Sequence, residues 1–346
     1  MDINFTKTNG LLDDRIEELI SLAGDVRHRD IVREMILAAL KAGIENTGRA
    51  DRADLKLMNT SLKEMRFTSK VFSPYRDRRK VTVFGSARTG PHEQVYHLAR
   101  SFGKKLAEAG YMVITGAGGG IMLAVNEGAG AENSFGVNIR LPFEQKPNPV
   151  LAGNPRLIFY KYFFSRKVAF VKEADAIALF PGGFGTLDEV MEILTLLQTG
   201  KREPIPLILI DEPDGTYWER WIAFFRKALL AGHYISDSDF FLFERVNSVD
   251  EAIERISRFY RRYHSLRYVD GRLVIRLSMS VGPEFVGRLR SNFSSILVPG
   301  GEMYLTGPLP EEADEPDIAG LQRLVLDFNR WDYGLLRRFI DAINDH

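Results

Sequence analysis

The sequence contains no cysteine. That absence excludes disulfides, thiolate nucleophiles, iron–sulfur clusters and cysteine-ligated zinc, and it is compatible with a reducing compartment. An excess of either charge is also missing: 46 lysines and arginines balance 46 aspartates and glutamates, for a formal net charge of zero. With no global basic field, neither nucleic acid nor a membrane surface is an expected partner, and any ligand must be held by a local site. Long hydrophobic runs are missing too. Stretches such as 204–210 and 174–180 fall far short of the ~20 residues of a membrane-spanning helix. The opening Met1-Asp2-Ile3-Asn4-Phe5 carries no basic stretch ahead of an apolar one, so no secretory signal is expected and the cytoplasm is the expected compartment. The six histidines, His28, His92, His97, His233, His264 and His346, form no metal-ligand spacing; His92 and His97 are five apart and do not share a helix face. Neither a metal nor a cofactor is expected.

The 346 residues, 45% hydrophobic and 27% charged, are ample for a buried core, in one large domain with additions or in two. Apolar residues recur at helical spacing from Leu11 to about residue 75, with Gly24, Gly43 and Gly48 as breaks, so residues 1–79 read as a helical region. The cluster Arg76-Asp77-Arg78-Arg79-Lys80 reads as a solvated connector. From 80 to 263, short apolar runs alternate with helical stretches. Strands are expected at 81–85, 111–115, 135–141, 174–180, 205–210 and 240–246, and helices at 92–109, 121–129, 161–172, 186–199, 216–230 and 249–263. Near-continuous apolar strands between helices indicate an α/β fold, a doubly wound, Rossmann-like parallel sheet covered on both faces. Residues 264–346 read as an α+β appendage: a hairpin turning at Asp270-Gly271, a helix at 283–293, a short strand around Met303 and a last helix over 318–343. The acidic, proline-flanked stretch 308–316 reads as a surface loop.

In open α/β sheets ligands bind beyond the carboxyl ends of the strands. Three strands are followed there by glycine-rich turns: Gly85-Ser86-Ala87-Arg88, Gly116-Ala117-Gly118-Gly119-Gly120 and Pro181-Gly182-Gly183-Phe184-Gly185-Thr186. Glycine lets backbone amides approach a ligand, and amides at a helix start suit an anion. A single such loop is equally explained by tight packing; three at one sheet edge favour a site. Neither the Gly-Lys-Ser/Thr ending of an ATP loop nor the dinucleotide spacing is present, so a mononucleotide is favoured. Glu189 stands beside the third loop, where a phosphorylated sugar would sit. Thr186-Leu187-Asp188-Glu189 also fits a helix capping box, which would leave Glu189 a structural role. Arg166-Lys167 supplies positive charge on the preceding helix, although such a pair is by default a solvated face.

Pro181-Gly-Gly-Phe-Gly-Thr-Leu-Asp-Glu189 resembles the Pro-Gly-Gly-x-Gly-Thr-x-x-Glu signature of the LOG ("Lonely Guy") family, the cytokinin riboside 5′-monophosphate phosphoribohydrolases long misnamed lysine decarboxylases. Arg166-Lys167, 23 residues before Glu189, is similar to the family's Arg-Lys element. The turn 85–88, the run 116–122 with Asn126 and Gly128-Ala129, and the stretch from Asn138 through Pro142 to Asn148-Pro149 complete the resemblance over residues 80–262. It implies hydrolysis of the N-glycosidic bond of a nucleoside 5′-monophosphate, AMP or an N6-substituted adenine nucleotide, with Glu189 and Arg166 catalytic. Gly182, Gly183, Gly185 and Thr186 would hold the 5′-phosphate, with Gly85, Ser86, Gly118, Gly119, Lys167 and Thr195 as further substrate contacts. It also implies a homodimer or larger homo-oligomer. A pyridoxal-phosphate decarboxylase would need a Schiff-base lysine, and none stands out. The rival reading is a non-catalytic nucleotide-binding protein of the same fold, of which the molybdenum-cofactor carriers are relatives.

Overall fold

The computed structural model describes residues 10–44, 52–141 and 146–346. They divide into two compact units, residues 1–66 and 67–346. In the first, α1 (Leu11–Leu22) packs on α2 (Arg29–Ile44) through buried Ile16, Ile20 and Leu37, and α3 (Arg52–Phe72) begins. Gly24 does end a helix: its φ of +97° closes the turn after α1. Gly43, in contrast, lies inside α2, and Gly48 lies outside the described residues.

The second unit holds the α/β domain. Its elements are β1 (Lys80–Phe84), α4 (Gln94–Glu108), β2 (Met112–Thr115), α5 (Ile121–Ala129), β3 (Ser134–Ile139), β4 (Leu157–Tyr160), α6 (Phe163–Lys172), β5 (Ala176–Leu179), α7 (Phe184–Gln198), β6 (Leu207–Ile210), α8 (Tyr217–Phe224), β7 (Glu244–Val246) and α9 (Val249–Phe259). The seven strands form one parallel sheet in the order β4-β3-β2-β1-β5-β6-β7. Alternate residues serve opposite faces. Val81, Val83, Val113, Ala176 and Ala178 pack with α4, α5 and α9, whereas Met112, Ile114, Ile177 and Leu179 pack with α6 and α7. This is the doubly wound fold expected from the apolar runs. The chain reverses its direction of travel across the sheet between β1 and β5, which makes their carboxyl ends the topological switch point.

Several local expectations are corrected. The edge strand β4 is absent from the expected strands, because its four residues are too short to carry a period. Of the strand expected at 240–246 only 244–246 pair with the sheet; residues 240–242 belong to a 3-10 helix, Asp237–Leu242, closed by a Ser236–Asp239 capping box. The helix beginning at 217 passes at Phe225 into a π-helical segment to Leu230. The cluster 76–80 is solvated only at its start, where Arg76 and Asp77 are exposed. Lys80 is buried and donates to the Arg78 carbonyl at 2.7 Å, Arg78 donates to Asn133 Oδ1 at 3.0 Å, and the Arg79 guanidinium lies 4.0 Å from the centre of the Tyr260 ring.

The C-terminal segment adds an antiparallel sheet in the order β10-β11-β9-β8, from β8 (Tyr263–Val269), β9 (Arg272–Leu277), β10 (Met303–Thr306) and β11 (Gln322–Leu326), with α10 (Pro283–Asn292) and α11 (Tyr333–Asn344). The hairpin turns at Asp270 (φ +46°) and Gly271 (φ +86°), as Asp-Gly predicts. The single helix expected over 318–343 is instead a 3-10 turn, β11 and α11. The acidic stretch is not merely a surface loop either. Glu312 is buried and accepts from Arg276 Nε at 2.8 Å and from Arg323 Nε at 2.9 Å. Among the described residues no helix is long and apolar enough to cross a membrane.

Candidate active site

The three glycine-rich turns meet at the carboxyl ends of β1, β2 and β5. The Ser86 amide donates to the Pro181 carbonyl at 3.1 Å, and the Ile121 amide donates to the Ser86 carbonyl at 2.9 Å, so the first loop is laced to the other two. Two glycines make that contact possible. A Cβ at Gly120, whose φ is +61°, would stand 2.2 Å from the Ser86 carbonyl oxygen, and one at Gly182 would stand 2.1 Å from Thr186 Oγ1. The second loop is braced from beneath: Asn148 Nδ2 donates to the Gly118 carbonyl at 3.1 Å and to Asn126 Oδ1 at 3.0 Å. Asn126 and Asn148, picked out in the sequence, hold this loop in place.

Beside the loops lies a cleft of roughly 680 Å³. Gly85, Ser86, Gly183, Gly185, Thr186, Arg166 and Glu189 all line it, together with Gly116 and Arg88. Gly182 sits immediately behind it against Thr186, and Gly119 is exposed with its Cβ position 3.4 Å from the Ala87 carbonyl. Gly118 is buried within the second loop. Lys167 points to neighbouring carboxylates instead, with Nζ 2.8 Å from Asp188 and 2.6 Å from Glu192. Thr195 is not brought to the cleft: it is exposed further along α7 and donates to the Met191 carbonyl. The cleft walls also carry Phe84, Met122, Phe163, Phe170 and Phe184, which motif reading passed over because an aromatic or methionine beside a helix reads as core. Phe184 is 94% exposed.

Helix α7 starts at Phe184 with Gly183 as its N-cap, and no side chain caps it. The Thr186–Glu189 capping box therefore does not form: Thr186 is the third helical residue, and Glu189 lies nearly two turns in. The amides of Phe184 and Gly185, in the first helical turn, have no intrahelical acceptor, and the positive end of the helix dipole adds to them. Together they suit an anion.

Glu189 is buried, and its Oε2 has no hydrogen-bond partner. Burial pushes its carboxyl up to about 7, against the opposing pull of Lys167 and Arg166. Arg166 donates through Nε to the Val137 carbonyl at 2.8 Å, and its guanidinium lies 5.0 Å from the Phe170 ring centre. Burial lowers its pKa, and the Glu189 charge works in the other direction. The arrangement joins a desolvated carboxylate with one free oxygen, a guanidinium fixed by backbone, and an amide-lined anion cradle. Among the described residues no cluster of three histidines, aspartates or glutamates could hold a metal ion.

Residues 122–256 match a family described as "possible lysine decarboxylase". Over 166 residues the chain is 28% identical to the cytokinin riboside 5′-monophosphate phosphoribohydrolase LOG of Oryza sativa subsp. japonica, covering 46% of this chain and 65% of that protein. A second protein of that activity name, from Arabidopsis thaliana, is 26% identical over 158 residues, 44% of this chain and 70% of its own. This chain thus spans about two thirds of the length of these relatives. Among solved structures, the molybdenum cofactor carrier protein of Chlamydomonas reinhardtii aligns over 52% of this chain and 97% of its own, at 21% identity and a TM-score of 0.38. The LOG-family resemblance therefore holds at modest identity over about half of the chain.

Proposed function

From the LOG-family match of its α/β domain, we propose that this chain hydrolyses the N-glycosidic bond of a nucleoside 5′-monophosphate, AMP or an N6-substituted adenine nucleotide, releasing free base and ribose 5-phosphate. The observation that carries the reading is Glu189: a buried carboxylate with an unpartnered oxygen, in a cleft that Arg166 and an amide-rich helix start also line. Buried charge without a partner is costly, and such groups concentrate where chemistry uses them.

In this reading the 5′-phosphate sits against the backbone of Gly182, Gly183 and Gly185 and the Thr186 hydroxyl, with Gly85, Ser86 and Gly119 forming the rest of the rim and Gly118 buried behind it. As the bond between C1′ and the base nitrogen breaks, its electron pair leaves with the base and positive charge builds on the ribose. Ionised Glu189 stabilises that charge and takes the proton of the water that attacks C1′. The departing base nitrogen takes up a proton in its place, which leaves neutral base, ribose 5-phosphate and, once Glu189 gives up its proton, the starting carboxylate. Arg166 positions the nucleotide and balances charge. Lys167 orients the first turns of α7 through Asp188 and Glu192. No cofactor and no nucleic acid enter the scheme. A homo-oligomer is part of the proposal, supported by exposed Phe163 and Phe184, which line the cleft, and by exposed Phe164 and Val168 on the same helix as Phe163. The compartment proposed is the cytoplasm, supported by the absence of cysteine.

The test is a panel of nucleoside 5′-monophosphates with chromatographic detection of free base. Release by the native chain and its abolition in a folded Glu189→Ala variant are expected. Near-native release by that variant would remove Glu189 from the mechanism. Stabilisation by nucleotide without release would select a non-catalytic nucleotide-binding protein.

A further inference from the structure

The third glycine-rich loop is gripped from outside the cleft by the first two residues of α8. The Tyr217 hydroxyl donates to the Gly182 carbonyl at 2.6 Å, and Trp218 Nε1 donates to the Leu179 carbonyl at 3.1 Å. Trp218 is fully buried, so this helix start is a rigid support. It is fixed in turn: the Trp218 amide donates to Asp211 Oδ2 at 3.2 Å, and Arg245 donates to the same oxygen at 2.8 Å and to the Gly215 carbonyl at 2.7 Å. Neither Tyr217 nor any other member of this chain of contacts lines the cleft.

A trans peptide points its carbonyl oxygen and the following amide hydrogen in opposite directions within one plane. With the Gly182 carbonyl held on Tyr217, the Gly183 amide is turned away from α8. Gly183 lines the cleft, and among the described residues its amide has no backbone acceptor. We infer that Tyr217 is a positioning residue that aims the Gly183 amide at the phosphate group of the ligand, an inference that rests on the function proposed above. The phenol never touches substrate. It sets the orientation of one donor in the anion cradle, a donor whose direction glycine's own backbone freedom would otherwise leave loose.

The experiment is Tyr217→Phe in the full chain, which removes one hydroxyl and keeps the ring. Binding of ribose 5-phosphate and of ribose is titrated by calorimetry, and base release from AMP is followed in parallel. Expected are a roughly tenfold weaker ribose 5-phosphate affinity, unchanged ribose affinity, and a KM for AMP raised more than kcat is lowered. A purely structural role would weaken both sugars together, and equal affinity for ribose 5-phosphate in variant and native chain would likewise overturn the inference. If the native chain binds ribose 5-phosphate but releases no base, the hydrolase reading falls while the Tyr217 comparison still decides. If it binds no ribose 5-phosphate, both fall. Amide exchange on the native chain is independent of the variant's folding: ribose 5-phosphate should protect the peptide spanning 181–187, and no protection would overturn the inference.

Discussion

Gly116 makes the room that Arg166 occupies. A Cβ built at position 116 would stand 2.5 Å from Arg166 Nη2 and 2.7 Å from Met122 Sδ. The second glycine-rich loop is thus a packing partner of the guanidinium as well as a wall of the cleft. Both atoms in conflict belong to the outer parts of flexible side chains, so Gly116→Ala should fold. The guanidinium, however, must leave its place beside Val137 and Phe170. A displacement near 1 Å in a reacting site costs about 100-fold in rate. We expect a loss of that order in kcat/KM for nucleotide with little change in melting temperature; a fully active Gly116→Ala would show that Arg166 tolerates displacement and does not act on substrate.

Glu189 ties activity and stability to pH in opposite directions. Its ordinary value is 4.5, and burial raises it to about 7 in the folded chain. Between those values the folded state holds a proton that the unfolded state has released, so stability is full below pH 4.5 and falls as pH rises through 7. The gap is worth up to about 3 kcal/mol at 1.36 kcal/mol per pH unit. Glu189→Gln should therefore be more stable than the native chain at pH 8 and no more stable at pH 4, while losing base release. In the native chain kcat/KM should rise with pH through about 7, as the carboxylate ionises. Denaturant titrations at the two pH values check the first half; an equal stability difference at both would mean that Glu189 is not held protonated by burial.

The residues that were readable in the sequence are those whose local demands are strict. Val81, Val83, Ile177 and Leu179 are buried on opposite faces of a parallel sheet, and such strands must be apolar throughout. Glycine-rich turns at strand ends announce close backbone approach, which is what brings loops 85–88, 116–120 and 181–186 together. Non-local determinants left no such trace. Thr186-x-x-Glu189 satisfies a capping pattern, yet the helix starts earlier, at Phe184 with Gly183 as its N-cap. Tyr217 meets Gly182 across 35 residues of chain, and nothing around it in sequence marks the contact. Gln322–Leu326 was hidden as a strand by Arg323, a residue that is ordinarily exposed and is here fully buried.

That arginine carries the last prediction. Arg276 and Arg323 face each other across β9 and β11, both buried, and Glu312 lies between them with one oxygen on each guanidinium. Burial alone would raise the Glu312 carboxyl, but the Leu309 amide and the two guanidinium groups hold it below its ordinary value. Its stabilising charge is therefore present above pH 4.5 and is lost as pH falls through the lower, folded value. Glu312→Gln keeps the shape and removes the charge, so two buried cations are left facing an amide. Removing one partner from a buried ionic cluster costs about 3–5 kcal/mol. We expect a loss of that size at pH 7 by denaturant titration, and a smaller one below pH 4.5, where the native Glu312 also begins to lose its charge. A loss below about 1 kcal/mol at pH 7 would mean that Glu315, which also contacts Arg276, is enough to hold the pair and that the acidic strap is not what secures this sheet.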